Sequence, residues 1–224
     1  MITKSYSYRN NTFSMNYLVF HPEDFENLPL VVYLHGAGER GGDESHLYRH
    51  GLPKLVSEGK EYPAVILCPQ CPAQYVWDNV VDKLKGIIDS VIIEYGIKRD
   101  RICITGSSMG GFGTWMMGLT YPNYFAAIAP VSGGGMSWRA SKLVSTPVLA
   151  VHGRADGAVP AVYSELMVNA VNNSGGKAEL IALEGYGHND AIDYAYRNTK
   201  LMDWLTSQRR TDFSYVKEFC EDLF

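Results

Sequence analysis

The chain has 224 residues, 46% of them hydrophobic and 20% charged, enough to bury a sizeable core. Twenty Lys and Arg against 24 Asp and Glu leave a net charge of -4, and no block of basic residues forms a stripe, which argues against a nucleic-acid partner. The N-terminal MITKSYSYRNNTFSMNY lacks the apolar run of a signal peptide and no later run reaches membrane-span length, so a soluble, cytoplasmic protein is expected.

No repeat, low-complexity tract or linker divides the sequence, and a single domain over residues 1–224 is the simplest reading. Two β-rich segments, KSYSY and FSMNYLVF, come first. LPLVVYLHG reads as a buried strand, a helix follows near His46 to Glu58, and AVILCP is the next strand. VVDKLKGIIDSVIIEYG carries apolar residues at helical spacing. RICITG is a strand, and MGGFGTWMMGLTYP a helix stopped by proline. Strands AAIAPVSG, TPVLAVHG and KAELIAL complete the set, with helices over residues 160–172 and 190–206. The C-terminal TDFSYVKEFCEDLF has the pattern of an amphipathic helix that could dock on the domain or on a partner.

Strands alternating with helices require crossover connections and a mostly parallel sheet covered on both faces. Functional residues in such sheets gather beyond the carboxyl ends of the strands. The first such loop, GAGERG at residues 36–41, is a literal G-x-G-x-x-G. A dinucleotide site would need a helix to start at once and an acidic end to the next strand. Here a glycine-rich polar loop continues, and the next strand ends in Cys-Pro-Gln. His35-Gly36-Ala37-Gly38 instead leaves backbone N–H groups aimed into a cavity, where they can hold a negative oxygen. Cys68 and Cys71 form a C-x-x-C in CPQCP, but no second pair follows and no helix opens there, so they read as structural.

Gly106-Ser107-Ser108-Met109-Gly110 matches G-x-S-x-G with Ser108 at the centre. The motif puts a serine on a strained turn between strand and helix, with the N–H of Met109 beside it at the helix N-terminus. Ser107 falls in the first variable position and points elsewhere. A serine needs a base, and partners in this arrangement follow in the order Ser, Asp or Glu, His, each after a later strand. Asp156 follows TPVLAVHG, and His188 follows KAELIALEGYG. His152 ends a strand but precedes Asp156, breaking the order, and reads as structural. His46 and His50 lack the Glu of H-E-x-x-H and read as a solvated helix face. Asp190 and Asp193 follow His188 too closely and read as early acids of the last helix; His21 has no motif around it.

With these residues in place the chain resembles the serine α/β-hydrolases, in the branch of feruloyl and acetyl-xylan esterases and predicted prolyl-oligopeptidase-like peptidases. The resemblance runs in order through LHGAGERGG, CPQCP, GSSMGGFGTW, YPNYFAAIAPVSGGG, HGRADGAVP, GYGHN and the DWL at Asp203 to Leu205. It implies an α/β-hydrolase fold, a mostly parallel central sheet with helices on both faces and an antiparallel N-terminal edge. It implies Ser108 as nucleophile, Asp156 as acid, His188 as base, and the Ala37 and Met109 N–H groups as oxyanion hole. The chain departs from the pattern where His188 is followed by Asn-Asp, and it has no room for a large lid, which favours an open cleft.

The expected reaction is hydrolysis of a carboxylic ester through an acyl-enzyme, on a small-molecule or oligosaccharide ester such as a feruloyl or acetyl ester of a plant carbohydrate. No metal or organic cofactor enters this chemistry. Tyr75, Trp77, Met136 and Trp138 follow strand ends and are candidate walls of the acyl or alcohol pocket. A small-peptide or thioester hydrolase with the same triad is the alternative, and a catalytically silent binding protein on the same fold is a third reading.

Overall fold

The computed structural model describes residues 1–212, and the end of the C-terminal segment singled out above, with Cys220, lies outside them. Eight strands form one sheet in the order β1-β2-β4-β3-β5-β6-β7-β8. The strands are β1 Ile2–Arg9, β2 Ser14–His21, β3 Leu30–Leu34, β4 Val65–Pro69, β5 Ile102–Ser107, β6 Ala127–Val131, β7 Val148–Gly153 and β8 Ala178–Leu183. Strands β3 to β8 run parallel, whereas β2 is antiparallel to both β1 and β4. The antiparallel N-terminal edge is where the sequence reading puts it. β1 is mostly exposed and rich in polar and charged residues, as an outer strand open to water must be.

Helices α1 Gly51–Ser57, α5 His188–Asn198 and α6 Leu201–Ser207 cover one face; α2 Val81–Glu94, α3 Met109–Thr120 and α4 Val162–Asn173 cover the other. Alternation along β3 divides its residues between the two. Leu30, Val32 and Leu34 pack beside Leu84, Trp115 and Met167, while Val31 and Tyr33 pack beside Leu52, Ile192 and Leu205. Both faces are therefore buried, which explains why the central strands read as continuous apolar runs. Among the described residues no helix is long and apolar enough to cross a membrane.

Two helices differ from the sequence expectation. The helix expected over His46 to Glu58 is a 3₁₀ turn, Glu44–Arg49, followed by α1. At the junction His50 is extended and Gly51, the first residue of α1, takes φ +64 and passes so close over Tyr33 that a Cβ would overlap the phenol ring. His46 and His50 thus share no helix face. His46 faces Asp43 at 3.6 Å and His50 faces Asp193 at 3.4 Å. The helix expected over 190–206 is two helices, α5 and α6, separated at Thr199 and Lys200.

Candidate active site

The stretch GSSMG forms the β5–α3 junction. Ser108 has φ 55 and ψ -119, a backbone region that costs a non-glycine residue about 1–3 kcal/mol. The surroundings enforce it. Ser108 N–H donates to Val131 O at 2.9 Å, and Phe112 N–H closes the first helical bond onto Ser108 O at 3.1 Å. The flanking glycines let the chain reverse against β3: a Cβ on Gly106 would stand 2.5 Å from Gly110 O, and one on Gly110 would overlap the Leu34 carbonyl oxygen. Ser107 turns away, buried, with its Oγ 3.1 Å from the Tyr33 hydroxyl.

Asp156 and His188 meet Ser108 from two separate loops. His188, the first residue of α5, has Nε2 2.9 Å from Ser108 Oγ and Nδ1 2.6 Å from Asp156 Oδ2. A carboxylate only accepts, so Nδ1 carries the proton and Nε2 is left to accept from the serine. Asp156 Oδ1 accepts the backbone N–H groups of Ala158 and Val159 at 2.9 and 2.8 Å. Burial opposes ionisation of this carboxyl. The His188 bond and the two N–H groups outweigh it and hold Asp156 below the ordinary carboxylate value. His152 lies on the far side of the same group, with Nε2 3.3 Å from Asp156 Oδ2. Asp190 and Asp193 point elsewhere, Asp193 to Lys54 at 2.7 Å and both along a shallow groove with Tyr186 and Tyr194.

The HGAGE loop beyond β3 forms a 3₁₀ turn, Ala37–Glu39. As first residues of helical turns, Ala37 and Met109 have N–H groups without a partner in their own turn. The carbonyls of the loop are all engaged: Arg40 Nε donates to Ala37 O at 3.1 Å, Arg49 to Gly38 O at 2.9 Å, and Gln70 Nε2 to Glu39 O at 3.0 Å. His35 anchors the base of the loop. Its Nδ1 faces Gly36 O at 2.6 Å, its Nε2 accepts Cys71 N–H at 2.9 Å, and its own carbonyl accepts Trp77 Nε1–H at 3.0 Å. Burial pushes the imidazole down to about 4. CPQCP is thus a brace under this loop. Its cysteines are unpaired thiols assigned to the cores on opposite faces of the sheet, and burial pushes the Cys71 thiol up to about 12.

Four residues are candidate pocket walls in the sequence, and they separate here. Trp77 is buried and lines a cavity of about 350 Å³ together with Val76, Asp78, Met109 and Phe112. Tyr75 packs on Phe13, with ring centroids 5.9 Å apart, and Met136 packs against the core. Trp138 stands in a 3₁₀ turn, 79% exposed. Phe112 went unsingled in the sequence although a signal was there: it lies four residues after Ser108, one helical turn along the same face.

Residues 73–194 match the model of the phospholipase/carboxylesterase family. Over 123 residues the chain is 39% identical to the poly(3-hydroxyalkanoate) depolymerase C of Paucimonas lemoignei, covering 48% of this chain and 28% of that protein. Over 147 residues it is 26% identical to an acetylxylan esterase of Coprinopsis cinerea, covering 59% of this chain and 38% of that one. A thermostable esterase of known structure superposes with a TM-score of 0.81 at 28% identity, over 93% of this chain and 63% of its own. These alignments therefore span well under half the length of the two sequence relatives.

Proposed function

The chain belongs to the phospholipase/carboxylesterase family and has the α/β-hydrolase fold, and on that premise we propose that it is a serine carboxylesterase working through Ser108, His188 and Asp156. The observation that carries the reading is the unbroken hydrogen-bond chain from Ser108 Oγ through both nitrogens of His188 to Asp156. His188 Nε2 takes the Ser108 proton as Oγ bonds to the ester carbonyl carbon. The carbonyl oxygen becomes an oxyanion held by the Ala37 and Met109 N–H groups. When the tetrahedral intermediate collapses, the C–O bond to the alcohol breaks and His188 returns the proton to the leaving oxygen. Water, deprotonated by His188, then attacks the acyl carbonyl; the acyl–Oγ bond breaks, His188 returns the proton to Ser108 Oγ, and the carboxylic acid leaves. Asp156 keeps the proton of His188 on Nδ1 and stabilises the imidazolium in both halves.

The acyl group is assigned to the cavity of Val76, Trp77, Met109 and Phe112, whose volume of about 350 Å³ lies within the range of small-molecule sites. Acetyl and hydroxycinnamoyl esters of plant carbohydrates are the substrates proposed. The acetylxylan esterase relative supports the acetyl arm, and the aromatic wall supports the hydroxycinnamoyl arm.

The test combines two single variants with a substrate panel. Ser108→Ala loses about 10⁴- to 10⁶-fold in turnover and its labelling by an organophosphonate, while Ser107→Ala remains active and labelled. The reverse pattern overturns the nucleophile assignment, and an unlabelled wild-type chain supports the silent binding protein. p-Nitrophenyl acetate, methyl ferulate, acetylated xylo-oligosaccharides, 3-hydroxybutyrate oligomers, a thioester and peptide amides are then compared by kcat/KM. Preference for the amides or the thioester would replace the ester reading by that of a peptidase or thioesterase with the same triad.

A further inference from the structure

We infer that His152 is a positioning residue for Asp156, holding the carboxylate toward His188 through the turn that both residues grip; the inference rests on the triad proposed above. His152 is the penultimate residue of β7 and has no exposed surface. Its Nε2 lies 2.8 Å from Val159 O and 3.3 Å from Asp156 Oδ2. Both oxygens accept, so Nε2 carries a proton. Nδ1 lies 2.8 Å from Ser164 Oγ, which is also 2.9 Å from Gly133 O. Burial disfavours a second proton on this ring, so in the neutral form Nδ1 and Gly133 O compete for the single Ser164 hydroxyl proton.

Both carboxylate oxygens of Asp156 thus have N–H groups beside them. Oδ1 takes the N–H groups of Ala158 and Val159; Oδ2 takes His188 Nδ1 and has His152 Nε2 behind it. The same residue, Val159, gives its N–H to Asp156 and its carbonyl to His152. Withdrawing the imidazole leaves a half-buried carbonyl without its donor and frees the peptide that orients the carboxylate. Ser164 extends the link from α4 to Gly133, whose backbone packs closely against Gly111 of the helix that carries Ser108. The ring therefore ties the acid's loop to the nucleophile's helix. A side chain needed only for volume would be replaceable by any apolar group of its size, whereas the positioning role requires the donor at Nε2.

That difference is measurable. His152→Leu keeps much of the volume and removes the donor, while His152→Gln restores an N–H near the same place. With p-nitrophenyl acetate, His152→Leu is expected to lose ~10- to 100-fold in kcat with KM within about threefold. The low-field proton signal of the His188–Asp156 bond should shift or broaden, and His152→Gln should recover kcat to within about fivefold of wild type. Wild-type kcat in His152→Leu overturns the inference, as do equal losses in both variants that merely follow their melting temperatures. If His152→Leu does not fold, Ser164→Ala carries the test, with a several-fold fall in kcat at constant KM expected and no change overturning it. Ser108→Ala is run alongside: full activity there would sink the triad itself, whereas a Ser108-dependent enzyme indifferent to His152→Leu refutes this inference alone.

Discussion

Replacing Asp156 by Asn should abolish turnover while leaving the shape of the site intact, and the geometry says which way the amide must face. Oδ1 receives two backbone N–H groups, at 2.9 and 2.8 Å, so the amide oxygen has to stay there. The NH₂ group is then forced onto the position of Oδ2, 2.6 Å from His188 Nδ1. Two donors cannot share that contact, so Nδ1 must become the acceptor and the proton of the neutral ring moves to Nε2. Nε2 then donates to Ser108 Oγ across 2.9 Å and no longer takes its proton. Loss of the correct tautomer costs ~10⁴ in kcat, and the variant should keep its fold because size and backbone contacts are unchanged. The wild-type Asp156 carboxyl is held below its ordinary value of 3.8, so its contribution to stability is complete above that value and is lost as pH falls through the lowered one. Asp156→Asn should lack this acid limb. The assay is kcat on p-nitrophenyl acetate between pH 5 and 9, with melting curves over the same range and down to pH 3. A variant within tenfold of wild-type kcat would refute the reasoning and return the acid's role to another carboxylate.

Gly110→Ala puts a methyl group into the Leu34 carbonyl oxygen and 2.7 Å from His35 O, both backbone, so the elbow cannot form; expression should give little folded protein and no phosphonate labelling. His35, buried and neutral with its pKa lowered from 6.5 to about 4, leaves the unfolded chain binding more protons between those values. Its contribution is complete above about pH 7 and falls by about 2 kcal/mol on going from pH 7 to pH 5. Urea titrations of wild type and His35→Asn at both values should differ in slope by that amount, and parallel slopes would contradict the assignment. Phe112→Ala opens the wall of the cavity proposed for the acyl group, and kcat/KM should shift toward longer acyl chains in a p-nitrophenyl ester series, with at most a small loss on acetate.

Much of this architecture is legible in the chain. Apolar runs of four to six residues separated by helical patterns already require a parallel sheet, and the rule that such sheets work beyond their strand ends leads to the HGAG, GSSMG, HGRAD and GYGH loops. The order of Ser108, Asp156 and His188 along the chain singles out one candidate of each kind, because motif register and strand placement are local properties. Helix continuity is less local. At the break, Gly51 passes over the ring of Tyr33, 18 positions earlier in the sequence, and no periodicity within residues 46–58 reports that contact.

The sequence by itself determined which serine stands at the elbow and which acid and histidine can follow it, since side-chain chemistry and spacing are written in the chain. Only the tertiary structure decided what surrounds them. Cys71 and Gln70 support the HGAGE loop from a neighbouring strand end, as Trp77 does from further along the chain. His152, set aside because it precedes the acid, comes within 3.3 Å of Asp156 Oδ2. A carboxylate is oriented by every donor that reaches it, and those donors arrive from loops whose meeting depends on strand order across the sheet, a property that no single stretch of sequence carries.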